Sequence, residues 1–188
     1  VKWLQRQIVT SSTYRQTSRT TPAALERDPE NRLLARCPRQ RLSAEQLRDQ
    51  ALVASGQLVE QVGGPSVRPI QPAGLWKELT GVADYEPGTG ADLVRRSLYT
   101  FWKRTIAPPN MTALDAPSRE FCTVRTSRTN TPLQALTLLN ETTFANAAEG
   151  LAWRALARQS EMDEQRIAWA FQVCTSRLPS SQELEILT

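Results

Sequence analysis

The chain has 188 residues, 40% of them hydrophobic, with 23 Lys and Arg against 19 Asp and Glu, a formal net charge of +4 and no histidine. This length suits one domain with a modest core. Without histidine, Ser-His-Asp and Cys-His catalysis, histidine metal sites and the histidine of a CxxCH haem attachment are all excluded within these residues. No apolar run approaches the roughly 20 residues that cross a bilayer, so no membrane span is expected in this segment.

Lys2, Lys77 and Lys103 are the only lysines; the other basic residues are arginines spread along the chain. Arginine binds anions bidentately, but no zinc-finger or RNA-binding motif accompanies these residues, and nucleic acid is disfavoured as a partner. Cys37, Cys122 and Cys174 are scattered and form no CxxC pair, which argues against a zinc site. One disulfide with a free thiol, or three separate thiols, both fit this spacing.

Residues 1–9 place Trp3 or Leu4, Ile8 and Val9 on one helical face, and a hydroxyl-rich connector follows. Thr21-Pro22 reads as an N-cap with proline at the first helical position, and DPEN at 28–31 as a tight turn. Ser43-x-x-Gln46 is a capping box opening a helix with Leu47, Ala51, Ala54 and Leu58 on one face, expected to reach about Leu58. From Val62 to Gly90 glycine and proline dominate and predict a long ordered loop with no regular element beyond a turn.

Residues 95–104, RRSLYTFWKR, are the best strand candidate. Asp115–Glu120 reads as a turn into a short helical segment. Thr131-Pro132-Leu133-Gln134 combines N-cap, proline and capping glutamine for a helix to about Leu139. Helical patterns follow over 141–159, 162–175 and 180–187, the last opened by the capping box Ser180-x-x-Glu183. Trp153 and Trp169 fall on helical faces and read as core. The expected fold is a mainly α domain with one or two short strands and a long Pro/Gly-rich ordered loop. Since the chain begins and ends inside helical patterns, residues 1–188 read as a single domain excised from a longer protein.

The polar residues with chemical potential gather in one stretch: Asp115, Ser118, Arg119, Glu120, Arg125, Arg128 and Asn130. Asp115 and Glu120 are the candidate general acid–base pair, with Arg119, Arg125, Arg128 and Asn130 as candidate substrate-binding groups. The structural alternative is an arginine–carboxylate network that pins a loop, and it perturbs pKa values in the same way. Trp76, Tyr99, Phe101 and Trp102 form an aromatic set with two uses, core packing or stacking on a sugar ring. Trp76, inside the Gly/Pro loop, is the best candidate for an exposed platform.

The segments IVTSSTYRQTS, RDPENRLLAR, RLSAEQLRDQALVASG, GGPSV, SLYTFWKRT, PPNMTALDAPSRE and CTVRTSRTNTPLQALTLLN, in this order, closely resemble the planctomycete-specific domain of unknown function known as family 1553. That domain follows planctomycete-type cytochrome c modules. DAPSRE (115–120) and TNTPLQAL (129–136) correspond to signature segments of the family. The resemblance implies that residues 1–188 are the greater, C-terminal portion of that larger domain, within an exported, periplasmic or cell-surface, multidomain protein. Its haem c would sit in an upstream module, with no cofactor in this segment. It supplies no mechanism and no catalytic residue, and its link to polysaccharide degradation is one of association.

The expected function is therefore an accessory or partner-binding domain, whose partner is the upstream cytochrome c-type module of the same protein. The alternative is a carbohydrate-active or glycan-binding domain that takes an acidic or complex polysaccharide through the carboxylate and arginine cluster.

Overall fold

The computed structural model describes residues 1–81, 85–103, 105–124, 128–158 and 162–188, the side chains of 79–80 excepted. Two compact units make up the chain, Val1–Arg41 and Leu42–Thr188. The architecture is mainly helical, as the periodicity predicted, with no sheet among the described residues.

In the first unit, α1 (Lys2–Thr10) is followed by α2 (Pro22–Arg27). Thr21 caps α2 by accepting a hydrogen bond from the Ala24 amide at 3.2 Å. The DPEN turn is closed by Asp28, whose carboxylate accepts from the Arg32 and Leu33 amides, each at 2.9 Å. These two N–H groups, with Arg36 contributing less, hold the Asp28 carboxyl below the usual aspartate range.

The second unit is built on α3 (Ala44–Ser55), which packs against α7 (Thr142–Leu156) and, at its edges, against α5 (Pro109–Ala113) and α8 (Asp163–Thr175). Between α5 and α7 lies α6 (Pro132–Asn140), which packs on both; α9 (Ser181–Leu187) packs on α8. Both partners of each expected capping box are present at Ser43, Thr131 and Ser180. The core is Ala44, Met111, Leu114 and Phe144, with Leu47, Ala51, Trp102, Ala116 and Leu138 packed on it. Ala116 belongs to the polar signature stretch, which therefore touches the core at that residue.

Several local expectations shift. Helix α3 stops at Ser55 rather than Leu58, because Gly56 turns left-handed (φ 74°). A Cβ at Gly56 would stand 3.1 Å from Arg154 Cδ, so the same glycine admits the Arg154 side chain from α7. The Gly/Pro loop contains a helix that was not expected, α4 (Leu75–Thr80), opened and closed by left-handed Gly74 and Gly81.

Residues 95–103 make isolated bridges, Val59 with Arg95 and Val67 with Thr100 in parallel sense and Lys103 with Ile106 in antiparallel sense, around a 3-10 turn at Ser97–Tyr99. Arg104 lies outside the described residues. Side chains claim the backbone that a ladder would need: the Ser97 amide donates to Asp49 Oδ1 at 2.7 Å, and the Arg95 carbonyl accepts from Arg48 at 2.9 Å. The short helical segment falls before Asp115, as α5, and residues 116–121 are irregular chain and bends. Trp153 is exposed on α7 rather than in the core, its Nε1 donating to Glu149 one turn back at 3.3 Å. Trp169 is half-buried under the guanidinium groups of Arg154 and Arg158.

Candidate functional site

Asp115 follows α5 in a left-handed conformation (φ 65°), a geometry that aspartate tolerates better than most residues. Its Oδ2 accepts three hydrogen bonds: from the Thr129 amide at 2.6 Å, the Thr129 hydroxyl at 2.7 Å and Gln134 Nε2 at 2.9 Å. Gln134 is wholly buried and acts twice, since its Oε1 accepts from the Thr131 amide to complete the capping box of α6. The two signature segments are thus tied together through one carboxylate and one amide.

Arg119 is also left-handed (φ 64°) and exposed. Its guanidinium lies 4.3 Å from the Trp102 ring centroid and 3.9 Å from Glu45 Oε1 on α3. Trp102 Nε1 donates to the Ser118 carbonyl at 3.1 Å, which fixes the bend from the inside. Glu120 is exposed, and its amide reaches Ser118 Oγ at 3.4 Å. Arg128 and Asn130 are exposed on the segment leading into α6. Arg125 lies outside the described residues.

Trp76 belongs to a separate cluster. It sits on α4, half-buried, donates from Nε1 to Gln71 at 2.9 Å, and packs against Tyr85 (5.3 Å between centroids) and Phe101 (6.1 Å). Lys103 Nζ lies 5.2 Å from its ring centroid and Arg68 Cζ 5.1 Å from that of Phe101. Burial pushes the Tyr85 hydroxyl up to about 12, and its proton is donated to the Pro69 carbonyl at 2.8 Å. The expected exposed platform is therefore a packed aromatic group with cations over its faces.

Two arginines that sequence reasoning passed over are the largest fully buried side chains among the described residues. Arg48 on α3, 1% exposed, donates to the carbonyls of Leu93 (2.7 Å) and Arg95 (2.9 Å) and to Ser97 Oγ (3.2 Å). Burial pushes its guanidinium down from the ordinary arginine value, opposed by Asp49, Glu141 and Tyr85. Arg95, 2% exposed, donates to the carbonyls of Gln61, Gly63 and Pro65, and lies 4.1 Å from the Tyr99 ring centroid. The Gly63 amide donates to Tyr99 Oη at 2.8 Å. The Gly-Gly-Pro turn thus presents carbonyls to a cation rather than amides to an anion. A signal was available: Arg48 falls at helical spacing from Ala44, Ala51 and Leu52, on the face that enters the core.

A cleft of about 350 Å³ opens between Gln71, Asn110, Asn140 and Glu141. Most of its polar groups are already committed: Gln71 to Trp76, Asn110 to Met111 and Glu141, and Glu141 to the first amides of α7. Among the described residues no three His, Cys, Asp or Glu side chains gather as a metal site, and no helix is long and apolar enough to cross a membrane.

Helix α6 reverses the usual polarity of a packed helix. Leu133, Leu136 and Leu139 are 62%, 55% and 74% exposed, while Gln134 is 1% exposed. The inward face carries Gln134, Thr137 and Leu138. An apolar stripe turned outward at a spacing of three residues is the pattern of a surface awaiting cover.

Residues 1–188 match the family model PSD1, described as protein of unknown function (DUF1553), and the chain belongs to that family. No curated protein and no solved structure matches it.

Proposed function

We propose that this member of the PSD1 family serves as a partner-binding accessory domain of an exported multidomain protein, and that its partner is a cytochrome c-type module upstream in the same protein. Haem c belongs to that module in this reading, since the present chain offers no histidine to ligate it. The observation that carries the proposal is the outward leucine face of α6, the helix whose buried Gln134 is tied to Asp115 of the other signature segment. Three half-to-mostly exposed leucines on one short helix are costly to leave in water and suit a protein surface.

The glycan-processing alternative asks for two carboxylates facing each other across a cleft with a stacking platform beside them. Asp115 Oδ2 is instead occupied by Thr129 and Gln134, and Trp76 is packed against Tyr85 and Phe101. These features support the accessory reading over the enzymatic one.

The test is calorimetric titration of the 188-residue chain with the separately produced upstream module. Association that is weakened by Leu136→Ser, with the unfolding midpoint of the variant unchanged, is the expected result. No association, or equal association of the variant, overturns the proposal. So does turnover of a polysaccharide that is lost in Glu120→Gln.

A further inference from the structure

The first unit holds a cleft of about 620 Å³ that none of the foregoing explains. Arg19, Arg27 and Arg36 line it against a single carboxylate, Asp28. Both oxygens of that carboxylate are already taken by the Arg32 and Leu33 amides, so it is a weak competitor for the arginines. Among the described residues the guanidinium groups of Arg19 and Arg27 make no hydrogen bond or ion pair, and Arg36 uses only Nη2, on the Pro29 carbonyl at 2.8 Å. These arginines line a cleft whose walls are otherwise mostly apolar, including Ala24 and Leu33, the latter 73% exposed.

The wall that carries Leu33 and Arg36 is preorganised. Asn31 and Leu34 hold positive φ (55° and 52°), a conformation that costs a branched side chain such as leucine. The Asn31 side chain clamps it, donating to the Arg36 carbonyl at 2.7 Å and accepting from the Arg36 amide at 3.3 Å. Strain kept in place by the Asn31 clamp, beside the unengaged guanidinium groups of Arg19 and Arg27 and an uncovered leucine, is the arrangement of a binding cleft rather than of a solvated face.

We propose that this cleft binds a small amphiphilic anion: the guanidinium groups of Arg19, Arg27 and Arg36 take its carboxylate, phosphate or sulfate group, and its apolar body lies on Ala24 and Leu33. Planar guanidinium groups match such oxyanions bidentately. The volume falls within the range of small-molecule sites. The site is independent of the α6 surface and of the proposed partner.

The 188-residue chain would be titrated with octanoate, octyl phosphate, inorganic sulfate and octanol by calorimetry at low and high salt. Octanoate or octyl phosphate should bind more tightly than sulfate or octanol, and salt should weaken the binding; the preferred headgroup distinguishes carboxylate from phosphate ligands. Arg27→Gln and Arg19→Gln should each weaken it about tenfold, Arg27→Lys less, and Arg6→Gln on α1 not at all. Circular dichroism of each variant separates lost binding from lost folding. Octanol binding as tightly as octanoate, sulfate binding as tightly as either amphiphile, or unchanged binding in a folded Arg19→Gln/Arg27→Gln double variant overturns the proposal. Tighter binding of an acidic peptide than of any amphiphile also overturns it and assigns the cleft to a protein partner.

Discussion

Gln134 Nε2 donates to Asp115 Oδ2 across 2.9 Å, joining the chain after α5 to the first turn of α6. The amide is buried and the carboxylate receives two further hydrogen bonds from Thr129. A carboxylate bound in this way organises a loop, because its accepting capacity on that oxygen is spent on positioning the segment that follows.

Replacing Asp115 should therefore destabilise the domain. Asp115→Ala should cost about 2–3 kcal/mol by leaving the Gln134 and Thr129 donors unmatched. Asp115→Gly should be less damaging by up to about 1 kcal/mol, since the position has positive φ. Urea unfolding of the three proteins checks the order wild type, glycine, alanine; an alanine variant as stable as wild type contradicts it.

Arg48 and Arg95 form a buried relay from α3 through the backbone at Leu93 and Arg95 to the turn at 61–65. Arg48→Met keeps most of the volume but leaves two carbonyls and the Ser97 hydroxyl without their donor. A loss of about 3 kcal/mol is expected. Arg48→Lys should fall between, because an ammonium cannot reproduce the guanidinium fork. Arg95→Lys should expose the 61–65 turn, read as faster limited proteolysis there than in the wild type.

The Arg177–Glu183 pair makes stability pH-dependent. Two hydrogen bonds from Arg177 at 2.6 and 2.8 Å, with the Ser180 amide, hold the Glu183 carboxyl down to about 2. Its folded pKa lies below the unfolded one, so its contribution is fully present above the ordinary glutamate value and is lost as pH falls toward 2. In Glu183→Gln this part of the acid loss should disappear. Thermal unfolding of both proteins between neutral pH and the acid limit measures the difference.

Arg119 offers a direct test of whether the exposed signature arginine is scaffold. Its contacts with the Trp102 ring and Glu45 predict that Arg119→Ala lowers stability by about 0.5–1 kcal/mol. The Trp102 contribution to fluorescence should change as well. Unaltered stability with lost ligand or partner binding would place Arg119 in a site.

Helix starts at Thr21, Ser43, Thr131 and Ser180 were legible because each cap is satisfied within three residues, a local event that needs no tertiary partner. Family membership was legible for a similar reason: the signature runs are long and follow one another in order. The candidate site was legible only as a place. That Asp115 spends one oxygen on Thr129 and Gln134, that Trp76 packs on Tyr85 and Phe101, and that Arg48 enters the core all depend on residues from different segments meeting in space.

The sequence by itself determined the helical character, the caps and the family, because hydrophobic period and capping chemistry act over a few residues. Only the tertiary structure decided which face of α6 turns outward. Its leucines and its Gln134 lie on different faces of one helix, and the outcome goes with the hydrogen-bond partner that Asp115 supplies to the buried glutamine. A buried amide must be matched, whereas a leucine left at the surface costs only in proportion to its exposed apolar area.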